Sequence, residues 1–211
     1  MRRNKKGQWL GIFVAISFLK LALLIKLHAT SIQEVDGRLH IWVVTHRTHS
    51  QISIARLVTW GGVGMLTLPT LALVGAFTLD VHKKVRSRLG SGLLLAIFAA
   101  AGGLVELVIN FFLHRTRPPT TDWLSAASRN SFPSGHTTTA TLFALFSAWA
   151  LSNRIRRGWP LIMMWVGAAG FVVAVGWSRI WLGVHWPSDV LGGWLFGIAW
   201  FTFITSVIVR N

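Results

Sequence analysis

The chain has 211 residues, of which 53% are hydrophobic and only 13% charged, against roughly 25% charged in a soluble domain; this excludes an ordinary soluble globule and points to a membrane. The absence of cysteine excludes disulfides and thiol catalysis. The net charge of +15 does not mark a nucleic-acid binder, because the basic residues gather in short loops between apolar runs.

A helix needs about 20 apolar residues to cross a bilayer. Six runs meet that need, with soft boundaries: Gln8–Leu27, Arg56–Leu79, Gly90–Leu113, His136–Ser152, Trp159–Trp177 and Asp189–Val209. Arg2, Arg3, Lys5 and Lys6 precede the first run as they would a signal peptide. Lys20 interrupts that run, however, and no small-x-small cleavage site follows, so it reads as a span. The stretch Ala29–Ser53 is too polar to cross. Its Ile32, Val35, Leu39, Trp42 and Val43 recur at helical spacing and predict an amphipathic helix on the outer surface. The expected fold is all-α: a six-transmembrane-helix bundle with an amphipathic helix between spans one and two, in a single domain over 1–211. No internal repeat or low-complexity tract interrupts it.

Lysine and arginine set the orientation. One side holds Arg2, Arg3, Lys5, Lys6, Lys83, Lys84, Arg86, Arg88, Arg154, Arg156, Arg157 and Arg210; the other holds Arg38, Arg47, Arg56, Arg115, Arg117, Arg129 and Arg179. The richer side is expected to be cytoplasmic, with both termini inside. Lys20 and Lys26 run against that trend but can snorkel. The loops 114–135 and 178–188 then both emerge on the outer face.

Those two loops carry the chemistry. Arg117 and Arg179 each offer a planar fork of donors suited to phosphate oxygens. Taken singly, each also reads as a headgroup or topology arginine. Pro133-Ser134-Gly135-His136 opens an apolar span. Free amides at a helix N-terminus make an anion site, to which Ser134 adds a hydroxyl and Gly135 close backbone approach. Alone, it is only a turn before a helix. His185 and Asp189 are four residues apart, on one helix face if the turn at Pro187 begins the last span. A carboxylate on one ring nitrogen leaves the other nitrogen's lone pair free for attack; the plainer reading is an N-capping Asp beside an interfacial His.

Together, Arg117-Pro118, Pro133-Ser134-Gly135-His136 and Ser178-Arg179-x5-His185-x3-Asp189 resemble the lipid phosphate phosphatase superfamily, the type-2 phosphatidic acid phosphatases. Acid phosphatases and vanadium haloperoxidases share that signature. The motifs span Asn110 to Asp189, and the six-span layout extends the resemblance over nearly the whole chain. The resemblance implies that His185 is the nucleophile that forms a phosphohistidine. It implies that Asp189 orients His185 and that His136 protonates the leaving alkoxide. Arg117, Arg179, Ser134 and Gly135 would hold the phosphate oxygens. It implies no metal and no cofactor.

One position departs. The family's first motif begins with a lysine seven residues before the Arg of Arg-Pro, and here that residue is Asn110, expected to bind the phosphate through its amide hydrogen bonds but without the lysine's positive charge. His114 or Arg115 lies close enough in sequence to compensate. Glu106 stands one helical turn before Asn110, within the third span, where a carboxylate is costly and marks function by default. Glu106, Asn110 and His114 form a polar stripe leading to Arg117. Two readings of Glu106 stay open: accessory to the site, or hydrogen-bonded between helices. Asp122 and Arg129 read as solvated loop residues and Asp80 as a loop residue. Trp123, Trp177, Trp181 and Trp186 read as interface anchors, one or two of them lining a lipid entrance.

The resulting expectation is a metal-independent phosphatase in a bacterial inner membrane, facing the periplasm or exterior. Its partners are membrane lipids and a lipid phosphate or diphosphate substrate, with no nucleic acid. Undecaprenyl diphosphate, phosphatidylglycerophosphate, phosphatidic acid and diacylglycerol pyrophosphate all fit, since the motifs read phosphate and not the tail. The alternatives are a lipid phosphotransferase and a non-catalytic lipid-phosphate binding or transport protein.

Overall fold

The computed structural model of the chain describes residues 5–79, 84–155 and 157–208. Of the residues used above, Arg2, Arg3, Asp80, Lys83, Arg156, Val209 and Arg210 lie outside the described residues, as do the side chains of Lys5 and Lys6. Among the described residues every regular element is helical. The main helices are α1 (Lys5–Lys26), α2 (Thr30–His46), α3 (His49–Val58), α4 (Gly64–Thr78), α5 (Val85–Leu113), α6 (Gly135–Leu151), α7 (Trp159–Trp181) and α8 (Pro187–Ile208).

The stretch expected to form one amphipathic helix is two. Arg47 turns to extended backbone at the end of α2. Thr48 then caps α3 in a reciprocal box with Gln51, which satisfies donors the new helix would otherwise leave open. On α2 the stripe facing the protein is Asp36, His40 and Val43. Val35, Leu39 and Trp42 point outward and stay exposed.

The second expected span is broken as well. A turn over Thr59–Gly62 follows α3, Val63 adopts extended backbone, and the two halves meet at 55°. Among the described residues four helices are long and apolar enough to cross a membrane: Gln8–Lys26 within α1, α5, α7 and α8. The bent pair α3–α4 makes five if it counts as one crossing. Exposed apolar side chains ring these helices, among them Phe13, Leu19, Leu104, Val108, Phe112, Val166 and Val173. A water-soluble surface does not sustain an apolar face of that extent, so the protein is integral to the membrane.

At 17 residues α6 falls short of a full crossing by length. It is the hub of the bundle, packed by α4, α5, α7 and α8. Its close approach to α8 depends on Gly193 and Gly197, four apart on one face. A Cβ at either would come within 2.9 Å of Thr137 or Thr141 of α6, so small residues let the two backbones meet. Leu142 and Phe146 of α6 join Leu71, Leu95, Ala99 and Ile204 in the central apolar cluster. A second cluster sets Phe18, Leu21 and Ile25 of α1 against Phe132 and Phe196.

One end of the bundle gathers α2, the 114–134 loop, the start of α6, the end of α7 and the start of α8. Asp36 to Ser188, Arg47 to Asp122 and Asn110 to Asn130 are among the hydrogen bonds that tie it together. Arg88 and Arg154 donate to the carbonyls of Ala76 and Phe77 at the other end.

Candidate active site

His185 lies in the short connection between α7 and α8, buried, and fixed at both ring nitrogens. Nδ1 stands 3.4 Å from Asp189 Oδ2, and Nε2 stands 3.0 Å from Nη1 of Arg117. A guanidinium can only donate. Nε2 is therefore the acceptor, the ring proton sits on Nδ1 toward Asp189, and the Nε2 lone pair faces the arginine. Burial is the main cause that pushes His185 down to about 4; the Asp189 hydrogen bond and charge oppose it, and the Arg117 and Arg179 charges add to it. The ring is thus neutral at ordinary pH.

Asp189, fully buried in the first turn of α8, is saturated. Its Oδ2 also accepts the Trp186 amide at 2.8 Å, and Oδ1 accepts Arg115 Nη1 at 2.5 Å. The carboxylate thus folds the 185–189 turn onto itself and aims the ring.

Besides its bond to His185, Arg117 donates to the backbone carbonyls of Val184, Ser128, Arg129 and Asn130. These neutral acceptors orient the guanidinium without cancelling its charge. Arg179, on the last turn of α7, donates from Nη1 to Thr59 Oγ1 at 2.7 Å. Its Nε is buried without an acceptor. An orphaned donor on a cationic group is a need that an anionic ligand would satisfy.

These groups share one cavity of about 330 Å³, walled by Arg117, Arg129, Arg179, His136, His185, Glu106, Asn110 and Gly135, with Gly62–Gly64 on one side. Gly62 is required there: a Cβ would sit 2.7 Å from His136 Cβ. The broken second span thus brings its elbow, with Thr59, against the site. Gly135 and His136 open α6, so their amides lie at its positive end. Three arginines, one helix N-terminus and two histidines around a single carboxylate favour a phosphate or similar anion.

The sequence-derived residues divide. His136, His185, Arg117, Arg179, Gly135, Asn110 and Glu106 meet at the cavity, with Asp189 directly behind His185. Ser134 does not line it. Its Oγ accepts from Thr137 and its amide donates to the Asp189 carbonyl, so it fastens α6 to α8. Asn110 donates to the carbonyls of Asn130, Phe132 and Pro133, which makes it a tie for the Pro-Ser-Gly loop. His114 is exposed beyond the end of α5, against a different cavity shared with His28 and Gln33. The stripe therefore ends at Asn110. Arg115 pairs with Asp36 and Asp189 and does not reach the phosphate-sized cavity.

Other loop residues also depart from expectation. Arg129 is a cavity residue, held at φ 67. Asp122 accepts from His40 at 2.9 Å and its carbonyl accepts from Arg47, so it is more than a solvated acid. None of the four tryptophans lines this cavity. Trp123, Trp181 and Trp186 donate to Pro118, Gln51 and Thr116. Thr59, Gly62 and Asp36 escaped the sequence reading, and Arg115, read there as a stand-in for the lysine missing at Asn110, pairs with Asp36 and Asp189 instead. The signal available for Asp36 was scarcity: the chain has only six acidic residues, so one on a membrane-facing helix warranted a partner. Among the described residues no three His, Asp or Glu side chains cluster as metal ligands would.

The profile of the PAP2 superfamily matches residues 91–211. The chain belongs to the PAP2 superfamily. It is 26% identical to phosphatidylglycerophosphatase B of Bacillus subtilis (strain 168), over 90% of this chain and 92% of that protein. Undecaprenyl-diphosphatase BcrC of the same organism is 36% identical, over 48% of this chain and 52% of that protein. Among solved structures, a transmembrane PAP2 type phosphatidylglycerolphosphate phosphatase from Bacillus subtilis superposes with a TM-score of 0.84 at 27% identity, covering 95% of this chain and 96% of that one. As a PAP2 protein with a polar cavity at one end of an apolar bundle, the chain is a membrane hydrolase of lipid phosphates.

Proposed function

We propose that this PAP2 protein removes the terminal phosphate of a membrane lipid through a phosphohistidine on His185. The observation that carries the reading is the fixing of His185 between Asp189 and Arg117, at the wall of a cavity where Arg179 keeps an unpartnered donor. In the first step Nε2 of His185 attacks phosphorus and its bond to the lipid oxygen breaks. That oxygen takes a proton from His136, which acquires it once the negative charge of the bound phosphate offsets the arginines that line the cavity. Arg117, Arg179, Arg129 and the α6 amides hold the three remaining oxygens as charge spreads over them. In the second step water attacks phosphorus, His136 takes the water's proton, and phosphate leaves His185. Asp189 offsets the positive charge on the phosphorylated ring.

The whole chain, 1–211, serves this one domain. Six crossings support it, with the bent α3–α4 pair as one and α6 sheltered by its neighbours as another; α2, with Val35, Leu39 and Trp42 outward, lies along the membrane surface. The site faces the periplasm or exterior and the termini are cytoplasmic, as the lysine and arginine distribution indicates. Phosphatidylglycerophosphate is the first substrate to test, because the relative and the solved structure that match nearly end to end are both named for it. Undecaprenyl diphosphate follows from the partial match.

The experiment is phosphate release by purified protein from phosphatidylglycerophosphate, undecaprenyl diphosphate and phosphatidic acid in detergent micelles, alongside His185→Ala. Release from at least one lipid, abolished in the variant, supports the reading. Binding without release would leave a lipid-phosphate carrier, and transfer to added alcohol without free phosphate would leave a phosphotransferase.

A further inference from the structure

Behind Asp189 the hydrogen bonds continue. Arg115 Nη1 donates to Asp189 Oδ1 at 2.5 Å, and its Nη2 donates to Asp36 Oδ2 at 2.5 Å. Asp36 comes from α2, far outside residues 91–211, and is buried at 2% exposure. Its Oδ1 accepts the Ser188 amide at 2.9 Å and its Oδ2 accepts the Ser188 hydroxyl at 2.5 Å. Ser188 Oγ also accepts from Arg115 at 2.6 Å. One guanidinium thus bridges two buried carboxylates. One carboxylate holds His185, and the other caps the helix that carries it.

We propose that Asp36 is a positioning residue for the His185–Asp189 pair, acting through Arg115 by sharing the guanidinium charge that Asp189 would otherwise face alone. This rests on the reading of His185 as the nucleophile. An arginine directly on Asp189 draws negative charge away from the oxygen that steadies the imidazole, and so weakens its support as the ring gains positive charge on phosphorylation. Asp36 draws the same guanidinium the other way. Between two carboxylates as buried as Asp36 and Asp189, that balance is felt strongly. Asp36 also accepts two hydrogen bonds at the N-terminus of α8, where a carboxylate is favoured, and so fixes the turn from which His185 projects. The α2 helix becomes part of the catalytic apparatus without touching the substrate.

The test is a charge-balance cycle on the full-length protein in detergent, with phosphatidylglycerophosphate as substrate. Asp36→Asn keeps shape and the bond from the Ser188 amide but removes the charge. It is expected to lower kcat about tenfold, the scale of one charged hydrogen bond, and to leave KM within about twofold. Arg115→Gln added to Asp36→Asn removes the cation as well, and is expected to recover most of the lost kcat. If the bridge merely anchors α2, the double variant will be as slow as the single or slower, or the loss will fall on KM; either result overturns the proposal. Should Asp36→Asn not fold, judged by size-exclusion profile, Arg115→Lys replaces it, since a single ammonium cannot span both carboxylates as the fork does. Its kcat is expected to fall with KM unchanged, and a wild-type kcat overturns the proposal. Wild-type protein and His185→Ala run in parallel, so failure of the nucleophile reading is visible independently of Asp36.

Discussion

Arg117 Nη1 and His185 Nε2 lie 3.0 Å apart, so the cation proposed to hold phosphate touches the nitrogen proposed to attack it. With substrate bound, the guanidinium must turn its donor from nitrogen to a phosphate oxygen, which places that oxygen's phosphorus beside the lone pair. Arg117→Lys removes the fork while keeping the charge. Its kcat/KM is expected to fall about tenfold to a hundredfold, the range for a charged hydrogen bond. A steady-state comparison with wild type checks this, and an unchanged value would remove Arg117 from the clamp.

The pH dependence follows from His185. Its folded pKa lies at about 4, below the ordinary 6.5, chiefly through burial. The ring therefore stays neutral and nucleophilic as pH falls through 6.5, and the acid limb attributable to it is expected near 4. The kcat/KM profile of the free enzyme reports this limb. The same shift makes the unfolded chain bind the proton first, so His185's contribution to stability is complete above about 6.5 and is lost as pH falls toward 4. Thermal denaturation at pH 7 and pH 5 is expected to show the lower midpoint at pH 5.

The two histidines should separate by leaving group. His185→Ala is expected to remove essentially all turnover on every substrate. His136→Ala should cost about a hundredfold or more on a lipid phosphate, where the alkoxide needs a proton, and much less on p-nitrophenyl phosphate, where it does not. Equal losses on both substrates would take the acid role from His136.

Chelation tests the metal-free mechanism. The rate in excess EDTA is expected to match the untreated rate, and vanadate is expected to inhibit by adopting five-coordinate geometry at His185. Loss of activity in EDTA with recovery on added magnesium or zinc would move the chemistry to a metal.

Asn110 gives the test of the family's missing lysine. Its amide ties three carbonyls of the 130–133 loop, and Glu106 lies one turn away on α5. Asn110→Lys is therefore expected to pair with Glu106 and leave kcat/KM flat or lower, and Glu106→Gln added to it is expected to restore activity. A gain from Asn110→Lys alone, with Glu106→Gln silent, would show that the lysine serves phosphate directly.

Sidedness can be read by placing single cysteines in this cysteine-free chain. Thr120 and Ser50 are exposed at the site's end of the bundle, and Ser87 and Asn153 at the other. Thr120→Cys and Ser50→Cys are expected to react with an impermeant thiol reagent in intact cells, and Ser87→Cys and Asn153→Cys only after lysis. The opposite pattern would invert the orientation.

The sequence by itself determined the solvent, the helical class and most of the side chains that meet at the candidate site. Long apolar runs can satisfy their backbone in lipid only as helices, and Arg117, His136, Arg179, His185 and Asp189 announce themselves because charged groups are few and stand at the ends of those runs. Tertiary structure alone decided where the runs bend and what the motif residues touch. Arg56–Leu79 is uniformly apolar enough to read as one span, yet Gly61 and Gly62 permit an elbow that only packing against α6 and α7 selects. Ser134 faces Thr137, His114 turns away, Arg115 serves Asp189, and Asp36 reaches Ser188 across 152 positions of sequence. A hydrogen bond at that separation leaves no periodicity and no local spacing to read. It exists because α2 folds back over the start of α8, and a buried carboxylate there must find its donors.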